Sequence, residues 1–132
     1  MLTSSDNVPW ARMFPGVEMK LLRCSTETGY WTALLRFEPG AVLPRHQHLG
    51  DSEFYIIKGA GSHPQTGHFK AGDYVFERDG AVHDELFVEE EIILYMTSYG
   101  PAAFLNPDDS VQFMLDAHAL SAMAGGGQAA SH

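Results

Sequence analysis

Cysteine is almost absent from this sequence, and basic residues are few. The single cysteine, Cys24, excludes an internal disulfide and a zinc site built from several thiolates. Eight Lys and Arg residues stand against 17 Asp and Glu residues, and the resulting net charge of −9 repels phosphate backbones and anionic lipids. We therefore expect neither nucleic acid nor a membrane surface as a partner.

Long apolar runs are missing as well, and we expect no secretory leader. No stretch approaches the roughly 20 apolar residues of a membrane-spanning helix, and the opening MLTSSDNVPW lacks the basic and then apolar pattern of a signal peptide. We expect a cytoplasmic protein. The 132 residues, 45% of them hydrophobic, supply one core, so residues 1–124 should form a single domain. The tail 125–132, GGGQAASH, has little to bury and should be disordered.

Glycine and proline interrupt the sequence at short intervals, and the segments between them are rich in β-branched and aromatic residues. This pattern is typical of an all-β protein, a small antiparallel sandwich or barrel. The sequence predicts strands over 17–23, 30–37, 41–48, 53–58, 73–77, 82–88, 92–99 and 111–115, a hairpin or loop over 62–69, and a short helix over 116–124.

Histidine and glutamate occur at spacings that suit a metal site. His46 and His48 alternate within a predicted strand, so both imidazoles should lie on one face. Glu53 heads the next strand, which can return beside them, and His83 opens a later one. Imidazole with carboxylate favours Fe, Zn, Mn, Ni or Cu over calcium or magnesium. A His-x-His pair by itself also arises on solvent-facing strands.

The arrangement of these residues relative to glycines resembles the two signature motifs of the cupin superfamily. The motifs are Gly40-x5-His46-x-His48-x4-Glu53-x5-Gly59 and Gly72-x5-Arg78-x-Gly80-x2-His83. The resemblance implies a jelly-roll barrel that holds a divalent transition metal through His46, His48, Glu53 and His83. Three departures do not touch these ligands: Glu53 and Gly59 are one residue closer than usual, Arg78 replaces a proline, and Phe87 replaces a frequent asparagine.

Within the cupins, the sequence is similar to 2,4'-dihydroxyacetophenone dioxygenases and to the cupin domains of anti-sigma factors. The similarity lies in Pro9-Trp10, in WTALLRFEPGA over 31–41, in Pro44-Arg45-His46 and in NPDDS over 106–110. It implies a non-haem Fe(II) dioxygenase that cleaves a carbon–carbon bond next to a carbonyl in a small aromatic hydroxyketone or dicarbonyl, with Zn(II), Ni(II) or Mn(II) as alternative metals. It also implies a homodimer, because single-domain cupins usually pair through their edge strands.

Two other functions stay open. One is a non-catalytic module that binds zinc or another metal and acts as a sensor. The other is a different cupin reaction, sugar isomerisation or thiol oxidation, and the apolar Phe87 disfavours the many hydroxyl groups of a sugar.

Further candidates for the pocket come from strand alternation. Tyr55 shares the alternation of Glu53, and Glu85 and Phe87 share that of His83, so all three are expected to face inward. Plain barrel core is the alternative for the two aromatic residues, and Glu85 could equally face outward. Arg36 could hold an anionic substrate group or form a surface ion pair. The remaining histidines, which lack a partner at ligand spacing, are expected to be solvent-exposed: His63, His68, His118 and His132.

Overall fold

The computed structural model describes residues 1–124, so the predicted disordered tail 125–132 lies outside the described residues. Strands dominate, with a 3-10 helix near the start and one α-helix at the end. The 3-10 helix spans Ser5–Asn7, the α-helix α1 spans Ala117–Met123, and the strands are β1 (Ala11–Phe14), β2 (Val17–Cys24), β3 (Trp31–Phe37), β4 (His46–His48), β5 (Ser52–His63), β6 (Gly67–Lys70), β7 (Tyr74–Glu77), β8 (Val82–His83), β9 (Phe87–Ser98), β10 (Ala102–Leu105) and β11 (Val111–Leu115). Neither helix within residues 1–124 has the length and hydropathy that spanning a lipid bilayer requires.

The strands form two antiparallel sheets. The larger has the order β1-β2-β3-β9-β5-β6, with β7 also paired to β5, and the smaller has the order β11-β10-β4-β8. Side chains from both sheets and from α1 belong to one hydrophobic cluster. The predicted small antiparallel all-β fold with a short C-terminal helix is therefore confirmed.

Side chains alternate strictly between the buried and the partly exposed face of strand β3. In β3 the residues Trp31, Ala33, Leu35 and Phe37 are buried, and the residues between them are partly exposed. Successive side chains of a strand point to opposite faces, so apolar residues at every second position line the interior of the barrel. The helix α1 is capped by Asp116, whose carboxylate accepts a 2.9 Å hydrogen bond from the backbone N–H of Ala119.

Two predicted strands are much shorter in the structure. Of the predicted strand 41–48, only β4 (His46–His48) pairs, because Pro44 has no N–H to donate to a ladder. The predicted strand 82–88 is broken, since β8 ends at His83 and β9 begins at Phe87. Strand alternation therefore does not continue from His83 to Phe87. The sequence-based prediction also missed β1 and β10.

The pairing of β5 with β9 contains irregularities that matter for the site. The register shifts three times between Ile56 and Gly61. Gly59 lies within this stretch with a φ of +88°, and a Cβ there would fall on the carbonyl oxygen of Glu91. Glycine is therefore required at this position by both backbone conformation and space.

We expect the Gly59→Ala variant to lose about 3 kcal/mol or more of unfolding free energy, because a left-handed alanine would also collide with β9. Gly80 is the matched control, since its φ of +89° is the same but no atom lies within 4 Å of the point that an added Cβ would occupy. The Gly80→Ala variant should lose only about 1–2 kcal/mol. Urea unfolding measures both, and equal losses would contradict the steric argument.

Candidate metal centre

Three histidines converge inside the barrel. His46 and His48 lie on β4, separated by one residue, and both side chains are buried. Antiparallel pairing places His46 directly opposite His83 of β8. The ring centroids form a nearly equilateral triangle, with separations of 5.0 Å for His46–His48, 5.2 Å for His48–His83 and 5.5 Å for His46–His83. The sheet therefore brings together the three histidines that the sequence singled out.

The carboxylate beside this triangle belongs to Glu77. It is the last residue of β7, where the side chain is buried and faces the interior. Its Oε1 lies 3.2 Å from His48 Nε2, and its Oε2 lies 2.6 Å from His83 Nε2. The hydroxyl of Ser52 donates to Oε1 at 3.3 Å. Potential ligand atoms of His48, Glu77 and His83 all lie within 4.8 Å of one another, so these residues can hold a metal ion.

Several polar atoms of this cluster lack hydrogen-bond partners within residues 1–124. They are His48 Nδ1, Glu77 Oε2 and both ring nitrogens of His83. The Glu77 Oε2 and His83 Nε2 atoms are close, yet they are not aligned as a hydrogen bond. Buried polar atoms normally have partners, and a divalent cation between convergent lone pairs would satisfy such atoms. The donor set thus fits a divalent metal.

The orientation of His46 is also suited to metal binding. Its Nδ1 lies 2.9 Å from the carbonyl oxygen of Pro44. A carbonyl oxygen only accepts, so Nδ1 carries the proton and Nε2 keeps its lone pair. Fixing a ring in this way is the usual role of a group hydrogen-bonded to a ligand histidine.

Burial and neighbouring side chains together set the protonation states of His46 and Glu77. Burial lowers the pKa of His46 from 6.5 to about 3, against a smaller opposing effect of the Pro44 carbonyl. Burial would raise the pKa of Glu77, but the close imidazoles of His48 and His83 outweigh it and hold that pKa well below its usual range. At neutral pH the site consequently presents a neutral imidazole at His46 and an ionised carboxylate at Glu77.

A largely apolar cavity adjoins the cluster. His46, His48 and Glu77 form part of its lining. The Phe104 ring lies 5.3 Å from that of His46 and 5.1 Å from that of Phe14. Other apolar side chains of the wall include Leu35, Phe54, Met96 and Leu115. A small organic molecule bound here would meet hydrocarbon on most sides and the polar cluster on one.

The structure does not bring Glu53 to the cluster. On β5 the inward residues are Ser52 and Phe54, so Glu53 between them lies on the outer face. Its carboxylate accepts hydrogen bonds from the hydroxyls of Tyr74 at 2.6 Å and Tyr99 at 2.7 Å, which lower its pKa. Glu53 is close to His48 in sequence, but it occupies an outward position of β5. Glu77 is more distant in sequence, but it occupies an inward position of β7 and faces the histidines.

The other predicted pocket residues also lie outside the cavity. Tyr55 follows Glu53's alternation and is 47% exposed, and Phe87 is 64% exposed at the start of β9. Glu85 is exposed in the segment between β8 and β9, where alternation from His83 is lost. Arg36 forms an ion pair with Glu18 and stacks on Trp10, with its guanidinium 4.3 Å from the ring centroid.

One histidine expected to be exposed is instead buried beside the cluster. His63 is 6% exposed and lines the cavity, with its ring 4.7 Å from that of His83. Burial lowers its pKa to about 4. The register shifts in β5 exchange the inward and outward positions after Ile56, so simple alternation could not locate this residue. His68 and His118 are exposed as expected, and His132 lies outside the described residues.

This chain resembles a relative from Acinetobacter johnsonii in sequence and a solved structure from the same organism in fold. An acetylacetone-cleaving enzyme of Acinetobacter johnsonii is 34% identical over 116 residues, which cover 81% of this chain and 76% of that enzyme. The crystal structure of an acetylacetone dioxygenase from Acinetobacter johnsonii matches with a TM-score of 0.86 and 26% identity over 96% of this chain and 91% of that chain.

An anti-sigma protein shares the fold. The crystal structure of Rhodobacter sphaeroides SigE with the anti-sigma ChrR matches with a TM-score of 0.60 and 24% identity, over 70% of this chain and 49% of that chain. The family described as the ChrR cupin-like domain matches residues 1–103. This match covers more than half of the sequence and includes all of the strands that carry the cluster. The chain therefore belongs to the ChrR cupin-like domain family of the cupin superfamily.

Proposed function

We propose that this protein is a metal-dependent dioxygenase that uses Fe(II) and O₂ to cleave a carbon–carbon bond next to a carbonyl in a small dicarbonyl or aromatic hydroxyketone. In this proposal His46, His48 and His83 hold the metal together with Glu77. The observation that carries it is the triangle of buried imidazoles on the wall of an apolar cavity, with ring separations of 5.0–5.5 Å.

The ligand types support a borderline transition metal. Three imidazoles and one carboxylate leave open positions on a six-coordinate ion, which separates a catalytic site from a closed structural one. When bound, the metal would supply Lewis acidity toward chelating oxygen atoms and a redox partner for O₂. Glu77 brings a negative charge that offsets the charge of the cation inside the barrel.

The side chains of the cavity support this class of substrate. Hydrocarbon from Phe54, Met96 and Phe104 excludes water and packs against the carbon skeleton of a bound molecule. A bidentate dicarbonyl or hydroxyketone needs polar partners only at its two oxygens, which would lie toward the cluster. The acetylacetone-cleaving relative from Acinetobacter johnsonii supports this class. A homodimer and a cytoplasmic location stay predictions.

Oxygen consumption tests the reaction. Protein reconstituted anaerobically with Fe(II) should consume O₂ when mixed with acetylacetone or 2,4'-dihydroxyacetophenone, and product analysis should show carboxylic acid fragments. The His48→Ala and His83→Ala variants should lose bound iron and show no uptake above background. Tight zinc retention with no O₂ uptake by fully iron-loaded protein would contradict the proposal and favour a non-catalytic metal-binding module.

Metal affinity tests which glutamate belongs to the site. The Glu77→Gln variant should bind Fe(II) or Zn(II) at least about tenfold more weakly, because it removes the buried carboxylate beside His48 and His83. The Glu53→Gln variant should bind metal as tightly as the unmodified protein, since Glu53 lies on the outer face. Competition with a chromogenic chelator measures both. A loss in Glu53→Gln alone would restore the ligand set predicted from the sequence.

The stability of the metal-free protein should fall in mild acid. His46 has a folded pKa of about 3 and His63 one of about 4, against 6.5 for the unfolded chain, so between these values the unfolded state binds more protons. Stability is full above about pH 6.5 and is lost as pH falls toward 4, by a few kcal/mol. Denaturant unfolding measures this. The His46→Leu variant should flatten the dependence and His68→Leu should not, whereas unchanged stability from pH 6.5 to 4.5 would refute it.

A further inference from the structure

His63 is a fourth histidine at the cluster, and its place differs from that of the other three. Its ring lies 4.7 Å from that of His83 and 6.4 Å from that of His46. It therefore flanks the His46–His83 side of the triangle. Glu77 flanks the other side of His83, where its carboxylate lies near both His48 and His83.

One nitrogen of the His63 ring, Nδ1, forms a hydrogen bond within the described part of the chain, and the other, Nε2, does not. Nδ1 lies 3.2 Å from the carbonyl oxygen of Asp84, which only accepts, so Nδ1 donates and the ring is the Nδ1–H tautomer. Nε2 then carries a lone pair, and it has no hydrogen-bond partner within residues 1–124. A neutral ring with a free acceptor thus lines the cavity next to the proposed metal ligands.

The segment that orients His63 is braced on several sides. The Asp84 carboxylate accepts hydrogen bonds from Arg45 Nε at 3.0 Å and from Gln65 Nε2 at 2.6 Å. The backbone N–H of Asp84 donates back to Gln65 Oε1 at 3.1 Å, and Arg45 also pairs with Asp109. These contacts tie four connecting segments together around Asp84. The Asp84 carbonyl that accepts from His63 Nδ1 is consequently held in place.

His63 lines a mostly apolar cavity, so a ligand that excludes water from it leaves the Nε2 acceptor unpaired unless the ligand brings a donor. A ligand that reaches the adjacent cluster can supply that partner. We propose that His63 Nε2 is a specificity-determining acceptor, which takes a hydrogen bond from a hydroxyl or N–H group adjacent to the metal-binding carbonyl of the ligand. The site would thus prefer hydroxyketone-type ligands over analogues without a donor. This inference rests on the proposed function for the ligand's position beside the cluster.

Binding to redox-inert zinc-loaded protein separates recognition from turnover. The probes are 2,4'-dihydroxyacetophenone and its 2-methoxy ether, which keeps the carbonyl, the α-oxygen and the phenol but cannot donate a hydrogen bond from the α-position. Calorimetry should show that the hydroxyl compound binds more tightly than the ether, and that His63→Leu reduces this preference about fivefold, the worth of one neutral hydrogen bond. The His63→Gln variant, whose side-chain oxygen can accept, should keep part of it.

A control variant and a spectroscopic measurement distinguish loss of the His63 hydrogen bond from a general disturbance of the structure. His68 lies on the neighbouring strand, opposite Ser62, and is exposed, so His68→Leu should leave the preference unchanged. In the unmodified protein, ¹⁵N spectra of the histidine rings should show His63 as the Nδ1–H tautomer. Its Nε2 resonance should stay in place when zinc is added and move when the hydroxyl compound is added.

Three results would overturn the inference. They are an unchanged preference in His63→Leu, a direct effect of zinc on Nε2 that marks His63 as a metal ligand, and a zinc-loaded protein that binds neither ketone. Failure of the iron-loaded protein to consume O₂, with the binding preference intact, would instead contradict only the proposed reaction.

Discussion

The antiparallel pairing of β4 with β8 is the contact on which the site depends. It sets His46 directly opposite His83, and the period of the strand then places His48 on the same inward face. Because β4 has only three residues and is held between β10 and β8, its two imidazoles have little freedom to turn away. The histidines proposed as metal ligands are therefore oriented by backbone hydrogen bonds rather than by flexible loops.

Enclosing so many polar groups in an apolar barrel opposes folding. Burial keeps His46 and His63 neutral, and Glu77 stays ionised only because two histidines face it. Carbonyl oxygens of Pro44 and Asp84 each engage one ring nitrogen, which leaves the opposite nitrogen available. The same arrangement that costs stability in the metal-free protein thus prepares the histidines for ligands.

Irregular pairing in β5 explains why His63 escaped the sequence pattern. Before Ile56 the even-numbered residues face inward, which turns Glu53 and Tyr55 outward. Three register shifts between Ile56 and Gly61 reverse this order, and His63 consequently faces the cavity. Gly59, where a side chain would strike Glu91, is a local sign of such a shift, although glycine by itself does not tell how far the alternation moves.

The sequence by itself determined the all-β class, most strands of the larger sheet, the short C-terminal helix and the closeness of His46 to His48, because these depend on side-chain alternation and composition over a few residues. Only the tertiary structure decided which carboxylate faces the imidazoles. Glu53 and Glu77 both lie near a turn in sequence, and their directions depend on how β5 and β7 pair. The position of His63 was likewise decided by pairing with β9, which joins residues far apart in the chain and has no local signature.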